Sequence, residues 1–432
     1  MRKQVLSALA FCSALGIAQA QTDVTKEYLV NPSFETLKAA DGTTDVAVKT
    51  KLESGLYGWE ISKLLDNQFS NYQVESEASG SSTGIPANGI IKPSQGEFYY
   101  FNRQGWGNVD GSELKTSTSK NLPIGTYYAV IDYKAADFSN NNDASKSGTT
   151  IGIKAENATN ELLGENTAVR RAYSTLTSNS DPYMVNAAWN ELGTMFTVTE
   201  PTTVTISLVQ NMKNSGRSDI AWDNLRLYQI ENVSENKPMD VSGLITTSNY
   251  YALGGWNIEG GNTFQVNTWS TEGEKDGSGM TTPFIQDHVG KENKAANATI
   301  SHTVNHLIPG IYEVSGLIRV LNEAGGDTPS GATLYANEGS TNACNGNPCT
   351  NGVYGTYTVK GTVGTDGVLT FGIKVANANF NWVSFKNFKL QYLGAASIEQ
   401  LQATLKEKIE EAKAYVENCP KGIAAIVNAA IT

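Results

Sequence analysis

The sequence predicts an all-β protein of two tandem β-sandwiches, followed by a short C-terminal helical segment. Three observations carry that expectation. Charged residues make up 17% of the 432 and glycines number 41, so the chain is uncharged-polar and poor in helix formers compared with an ordinary globular domain. Short runs rich in Val, Ile, Thr and Tyr alternate with period two between clusters of Gly, Asn, Asp and Pro, as strands do. One arrangement of these runs occurs twice, which marks an internal repeat the length of a whole domain.

Taken in order, residues 1–20 read as a secretory leader. Arg2 and Lys3 precede a nearly continuous apolar or small run from Val5 to Ala18, and Ala18-Gln19-Ala20 has the small-x-small form of a cleavage site. The run is shorter than the roughly 20 residues a spanning helix needs. Cleavage would start the mature chain at Gln21 and place it outside the cytoplasm, secreted or at the cell surface.

Residues 21–231 form the first predicted sandwich and 232–394 the second. Leu122-Pro123-Ile124-Gly125-Thr126-Tyr127 before an alternating strand returns as Leu307-Ile308-Pro309-Gly310-Ile311-Tyr312. Val204 to Leu208, leading to Trp222-Asp223-Asn224-Leu225-Arg226-Leu227, returns as Val368 to Ile373, leading to the run Trp382 to Leu390. Gly58-Trp59 and Gly255-Trp256 stand near the two starts. In Val204, Ile206 and Leu208 the apolar residues share one face, opposite Thr203, Thr205 and Ser207, as on a sheet with one wet side.

Residues 395–432 change pattern. Ser397-Ile398-Glu399-Gln400 has the form of a capping box, and Ile398, Leu401, Leu405, Ile409, Ala412 and Val416 follow at helical spacing up to Asn418-Cys419-Pro420. A second apolar run begins at Ile423. This segment reads as the start of a helical bundle continued by further domains of a longer chain, or as a helical hairpin folded back on the second sandwich.

Composition excludes several classes. Acidic residues outnumber basic ones by 43 to 32 and the net charge is −11, which argues against a nucleic-acid partner. Three histidines, His288, His302 and His306, leave little for a transition-metal centre or a histidine-based triad. His302 and His306 are expected on one strand face with Ile300 and Val304, as partly buried neutral side chains. Beyond the leader, Cys344 and Cys349 flank a Gly- and Pro-containing turn, so a local disulfide or two free thiols are both open. Cys419 has no neighbour in sequence.

Asn31-Pro32-Ser33-Phe34-Glu35, Gly58-Trp59, Leu122 to Tyr127 and Trp222 to Leu227 resemble the galactose-binding-like jelly rolls, a superfamily with many secreted carbohydrate-binding modules. The second copy, with Asn267-Thr268-Trp269-Ser270 and Leu307 to Gly310, is similar to modules of exported Bacteroidetes proteins. The resemblance implies a structural calcium ion in the first module, with Glu35 and Asp223 as ligands, since hard oxygen donors suit calcium. It leaves calcium in doubt in the second module, where Asp223 corresponds to Val383 or Ser384. It also implies polysaccharide or glycan as partner, bound by aromatic rings flanked by hydrogen-bonding groups. The segment from Asn102 to Asp110, read as a Gly-flanked loop, supplies Trp106 with Arg103, Gln104 and Asn108; Trp269 is the counterpart in the second module. Trp59, Trp189, Trp222, Trp256 and Trp382 read as core residues. The expected function is a secreted, non-catalytic glycan-binding protein. Its rivals are the accessory N-terminal region of a larger glycan-degrading enzyme and a surface adhesion or structural protein.

Overall fold

The computed structural model describes residues 20–63, 71–77, 92–107, 112–138, 150–169, 189–211, 216–246, 255–261, 264–267, 284–343 and 352–400, with parts of 402–413. Residues 1–19, on which the leader is expected, and Asn108, Trp269, Cys344, Cys349 and Cys419 lie outside them. Side chains of Arg103, Gln104 and Trp106 also lie outside them.

The first sandwich holds twelve strands: β1 (Gln21–Asp23), β2 (Gly55–Leu56), β3 (Trp59–Lys63), β4 (Asn71–Ser76), β5 (Phe98–Gly107), β6 (Ser112–Ser117), β7 (Gly125–Phe138), β8 (Thr150–Asn157), β9 (Leu162–Val169), β10 (Asn190–Val198), β11 (Val204–Asn211) and β12 (Gly216–Ile230). The second holds β13 (Met239–Asp240), β14 (Trp256–Gly260), β15 (Gln265–Asn267), β16 (Phe284–His288), β17 (Ala298–Val304), β18 (Gly310–Leu321), β19 (Ala332–Ala336), β20 (Gly339–Ala343), β21 (Gly355–Val363), β22 (Leu369–Val375) and β23 (Trp382–Tyr392).

One sheet of the first sandwich runs β10-β7-β12-β5-β4 with β1 beside β12, and one sheet of the second runs β21-β18-β23-β16-β15 with β13 beside β23. The facing sheets run β2-β3-β6-β11-β8-β9 and β14-β17-β22-β19-β20. Apart from β2, which has no counterpart in the second sandwich, the two orders match strand for strand, with antiparallel ladders such as β7–β12 and β18–β23 at the centre. Tyr127 Oη donates to the Pro123 carbonyl at 2.9 Å, and its counterpart Tyr312 Oη donates to the Ile308 carbonyl at 2.9 Å. The repeated Leu/Pro/Gly/Tyr motif thus closes the same corner in both copies.

Each core is made by the inward residues of both sheets. Phe34 stacks on Trp59 at 4.8 Å and Tyr100 at 5.6 Å in the first. Trp256 lies among His302, Phe371, Phe385 and Phe388 in the second. Trp59, Trp222 and Trp256 are buried, as alternation requires, whereas Trp189 and Trp382 are only half-buried. The expectation of five core tryptophans is corrected for those two. Trp189 precedes β10 and Trp382 opens β23, so neither sits at an inward position mid-strand.

A bulge sets the alignment of the copies. The ladder β12–β7 slips between Asp223 and Arg226, and β23–β18 slips at the equivalent place. Asn224 and Asn387 occupy the two bulges with φ of 55° and 54°, a left-handed conformation that Asn tolerates better than other side chains with a Cβ. Superposing the bulges puts Lys386 opposite Asp223, and Phe385 opposite Trp222. The pairing of Asp223 with Val383 or Ser384 is therefore corrected, because matching the tryptophans slips the register past the bulge. Asn224→Val is expected to cost about 1–2 kcal/mol for the left-handed backbone, read as a lower urea midpoint.

The sandwiches meet across a shared apolar layer. Tyr128, Val130 and Met195, on the outward side of the first sandwich, pack in one cluster with Met239, Val241, Leu244 and Ile245 of the connector and with core residues of the second sandwich. Tyr312 Oη lies 3.6 Å from Met195 Sδ, and Asn166 Nδ2 donates to the Leu244 carbonyl at 3.2 Å. Gly243 is required here, because a Cβ would meet Tyr128 Oη at 2.6 Å.

Past the second sandwich, the described residues between 398 and 413 are helical. Gln400 N donates to Ser397 Oγ at 3.2 Å and Ser397 N to Gln400 Oε1 at 2.7 Å, the reciprocal capping box. Ile398 and Leu405 are exposed on it. Among the described residues no helix is long and apolar enough to cross a membrane.

Candidate functional site

The segment expected as a binding loop is strand through Gly107. Its first member, Asn102, points into the sandwich: it is buried and its Nδ2 donates to Ser112 Oγ at 2.6 Å and Gln210 Oε1 at 2.8 Å. The period-two pattern of Phe98, Tyr100 and Asn102 continues the strand, which overrides the local polarity of Asn-Arg-Gln. Trp106 stands near the end of β5, while Asn108 and Trp269 fall outside the described residues.

Half-exposed tryptophans stand elsewhere, each in contact with a cation. Lys134 on β7 places Nζ 5.4 Å from the Trp189 ring, and Arg319 on β18 places its guanidinium 4.6 Å from the Trp382 ring. Lys134 follows Gly125 at the same spacing as Arg319 follows Gly310, and the bulge alignment makes the two positions equivalent. The contacts are cation–π pairs. Trp189 Nε1 donates to the Lys92 carbonyl at 3.0 Å, and its ring meets the edge of Tyr99 at 6.2 Å. Beneath it, Glu75 accepts from Gln73 Nε2 at 2.5 Å and Tyr99 Oη at 2.7 Å. Burial, followed by the Glu75 carboxylate, pushes the Tyr99 phenol up, so it stays a donor.

In the second sandwich the Trp382 ring stacks on His288 at 4.3 Å, and its Nε1 donates to Gln286 Oε1 at 3.1 Å. His288 Nε2 lies 2.8 Å from Glu323 Oε2, which also accepts from Asn381 Nδ2 at 2.6 Å. The hydrogen bond to His288, then that to Asn381, holds Glu323 below the usual carboxylate range. His288, Glu323 and Asn381 beside Trp382 are thereby tied into one network.

The two carboxylates expected to hold calcium both grip residues 94–98. Glu35 accepts from Glu97 N on both oxygens, at 3.1 Å each, and from Phe98 N at 3.1 Å. Asp223 Oδ2 accepts from Gln95 N at 2.9 Å, while its Oδ1 is buried with no partner. Burial pushes Asp223 up to about 8 despite the backbone N–H groups that favour its charged form. The orphaned Oδ1 fits a hard cation. Glu35 is already spent as a turn cap, and among the described residues no group of three acidic, His or Cys side chains is placed around a metal. Lys386 at the equivalent position makes the second sandwich a poor host.

His302 is buried, with Nδ1 2.8 Å from the Gly255 carbonyl. Burial lowers its pKa, so it is neutral. His306 does not share its strand: β17 ends at Val304, and His306 is exposed beside Glu165 at 3.7 Å.

A cleft of ≈ 510 Å³ opens between the sandwiches, walled by Trp189, Asp132 and Arg226 of the first and Asp240, Asn387 and Lys389 of the second. Arg226 is tied to Asp132 at 2.5 Å and to Glu191 at 2.9 Å. Asn224 Nδ2 reaches the same Asp132 at 2.9 Å.

No family model matches the chain, and no curated protein matches it. Among solved structures it is similar to the N-terminal CBM22-1-CBM22-2 tandem domain of Paenibacillus barcinonensis Xyn10C, at 10% identity over 88% of this chain and 99% of that chain, with a TM-score of 0.25. It is similar also to TmCBM61, solved with beta-1,4-galactotriose, at 15% identity over 47% of this chain and 97% of that one, TM-score 0.26. A Paenibacillus xanthan lyase follows at 13% identity, over 81% of this chain and 27% of that one, TM-score 0.25. With TM-scores of this size, the sandwich architecture rests on the strand pairings above.

Proposed function

We propose that the chain is a secreted, non-catalytic glycan-binding protein whose tryptophans stack against sugar rings. The observation that carries this reading is the recurrence, at equivalent strand positions of two copies, of a cation seated on a half-exposed Trp. Burying a ring this large would be the default in a sandwich. Held at the surface with polar neighbours, Trp189 matches what a pyranose needs, an apolar ring with hydrogen-bond partners around it, whereas Trp382, flanked by His288 and Arg319, presents its edge. Trp106, with Arg103, Gln104 and Asn108, and Trp269 in the second copy, are further members of the proposed surface. The neighbours named above as carbohydrate-binding modules agree with it but add no weight at their TM-scores.

Affinity electrophoresis of the mature chain over a panel of soluble polysaccharides tests this. Trp189→Ala is expected to weaken retention about tenfold, the size of one aromatic stacking contact, and Trp382→Ala by less, because His288 and Arg319 cover its ring. Retention on no glycan, or retention untouched by both changes, overturns the proposal. Trp106→Ala and Trp269→Ala in the same gels decide whether those residues share the site.

The proposal includes one structural calcium ion in the first sandwich. Asp223 would anchor it through the orphaned Oδ1, with Glu35 gripping the same 94–98 segment from the other side. The ion would neutralise a buried carboxylate and tie the last long strand to that segment.

A further inference from the structure

We infer that the cleft between the two sandwiches binds a single neutral oligosaccharide, held by both modules at once. The inference rests on the glycan-binding reading, since Trp189 is one wall, and adds to it a site that neither sandwich contains alone. Four features carry it.

The first is rigidity. The shared layer of Tyr128, Val130, Met195, Val241 and Leu244 fixes the walls relative to each other, so the cleft is preformed. The second is size: ≈ 510 Å³ falls within the range of small-molecule sites. The third is the division of polar groups. Asp132 and Arg226 are locked by their mutual ion pair and by Glu191 and Asn224, which makes the first wall rigid. On the second wall Asn387 and Lys389 carry no side-chain partner among the described residues, and Asp240 uses only Oδ1, accepting from Ser242 N at 2.9 Å. These are donors and acceptors awaiting partners around one aromatic face.

The fourth is charge. Arg226 is already shared by two carboxylates, so an acidic polysaccharide would meet Asp240, Glu191 and Asp132 with Lys389 as the one cation of the cleft lining outside an ion pair among the described residues. A neutral polyol pays no such repulsion and can use amide, carboxylate and ammonium groups alike. The bulge supplies the geometry: Asn387, in its left-handed conformation, breaks the alternation of β23 and stands beside the exposed Lys389.

Titration calorimetry of the full mature chain with β-1,4-linked xylo-, gluco- and galacto-oligosaccharides of increasing length, and with oligogalacturonates as the acidic arm, tests the inference. One ligand per chain is expected at the cleft. Trp189→Ala should weaken it about tenfold, and Lys389→Ala about fivefold, as for one lost hydrogen bond of ordinary strength. The double variant should lose less than the product, because both walls hold the same molecule. Trp189→Leu and Lys389→Glu repeat the comparison should either alanine variant fail to fold. If Trp189→Ala weakens binding and the Lys389 variants do not, the shared cleft is overturned while the aromatic reading stands. If no oligosaccharide binds, or Trp189 variants bind normally, both are overturned here. Tighter binding of oligogalacturonate than of any neutral ligand overturns the ligand class.

Discussion

Met195→Asp is expected to turn a single calorimetric unfolding transition of residues 21–432 into two, with the lower one well below the original. Met195 is 1% exposed and belongs to the layer that joins the sandwiches. Truncating a buried Met costs about 2–5 kcal/mol, and a carboxylate there adds the cost of an unpaired buried charge. The inward residues of the same strand, Leu192 and Phe196, belong to the core of the first sandwich and are untouched. The damage therefore falls on the coupling. Two transitions in the unmodified protein would show that the layer does not couple the modules, and the preformed cleft would lose its support.

The second large effect concerns Asp223. In chelator, its folded pKa of about 8 stands well above the ordinary 3.8. Below about pH 4 the group is protonated folded and unfolded, and costs nothing. As pH rises from there to about 8, the unfolded chain releases the proton while the folded one retains it, so stability falls, then levels off. Asp223→Asn is expected to flatten that fall. With the proposed calcium present, the ion replaces the proton on the buried carboxylate, so added calcium raises the melting temperature more at pH 8 than at pH 5. Melts at both pH values, with calcium and with chelator, read this directly. No calcium shift at pH 8 removes the ion from the proposal, and an unchanged pH profile in Asp223→Asn removes the proton account.

Much of the candidate site was hidden by the bulge. Lys134 and Arg319 stand at one spacing after Gly125 and Gly310, a signal present in the sequence, yet it means little until the strands are known to be equivalent. Their tryptophans carry no such signal. Trp189 precedes β10 and Trp382 lies on β23, so one functional pairing is built from different parts of the two copies. Matching Trp222 to Trp382 by residue type led away from it. The register between Asn224 and Asn387 is a matter of backbone pairing, which residue identity does not report.

The amino-acid sequence by itself determined the all-β class, the tandem repeat, the corner motif of Tyr127 and Tyr312 and the Ser397 capping box. All of these depend on local alternation, turn chemistry or short-range hydrogen bonds. Only the tertiary structure decided which tryptophans stay at the surface, that Asn102 serves the core, that Asp223 is left with an orphaned oxygen, and that Met195 joins the sandwiches. Each of those depends on which distant strand lies alongside, and so on burial and partners that no local pattern encodes.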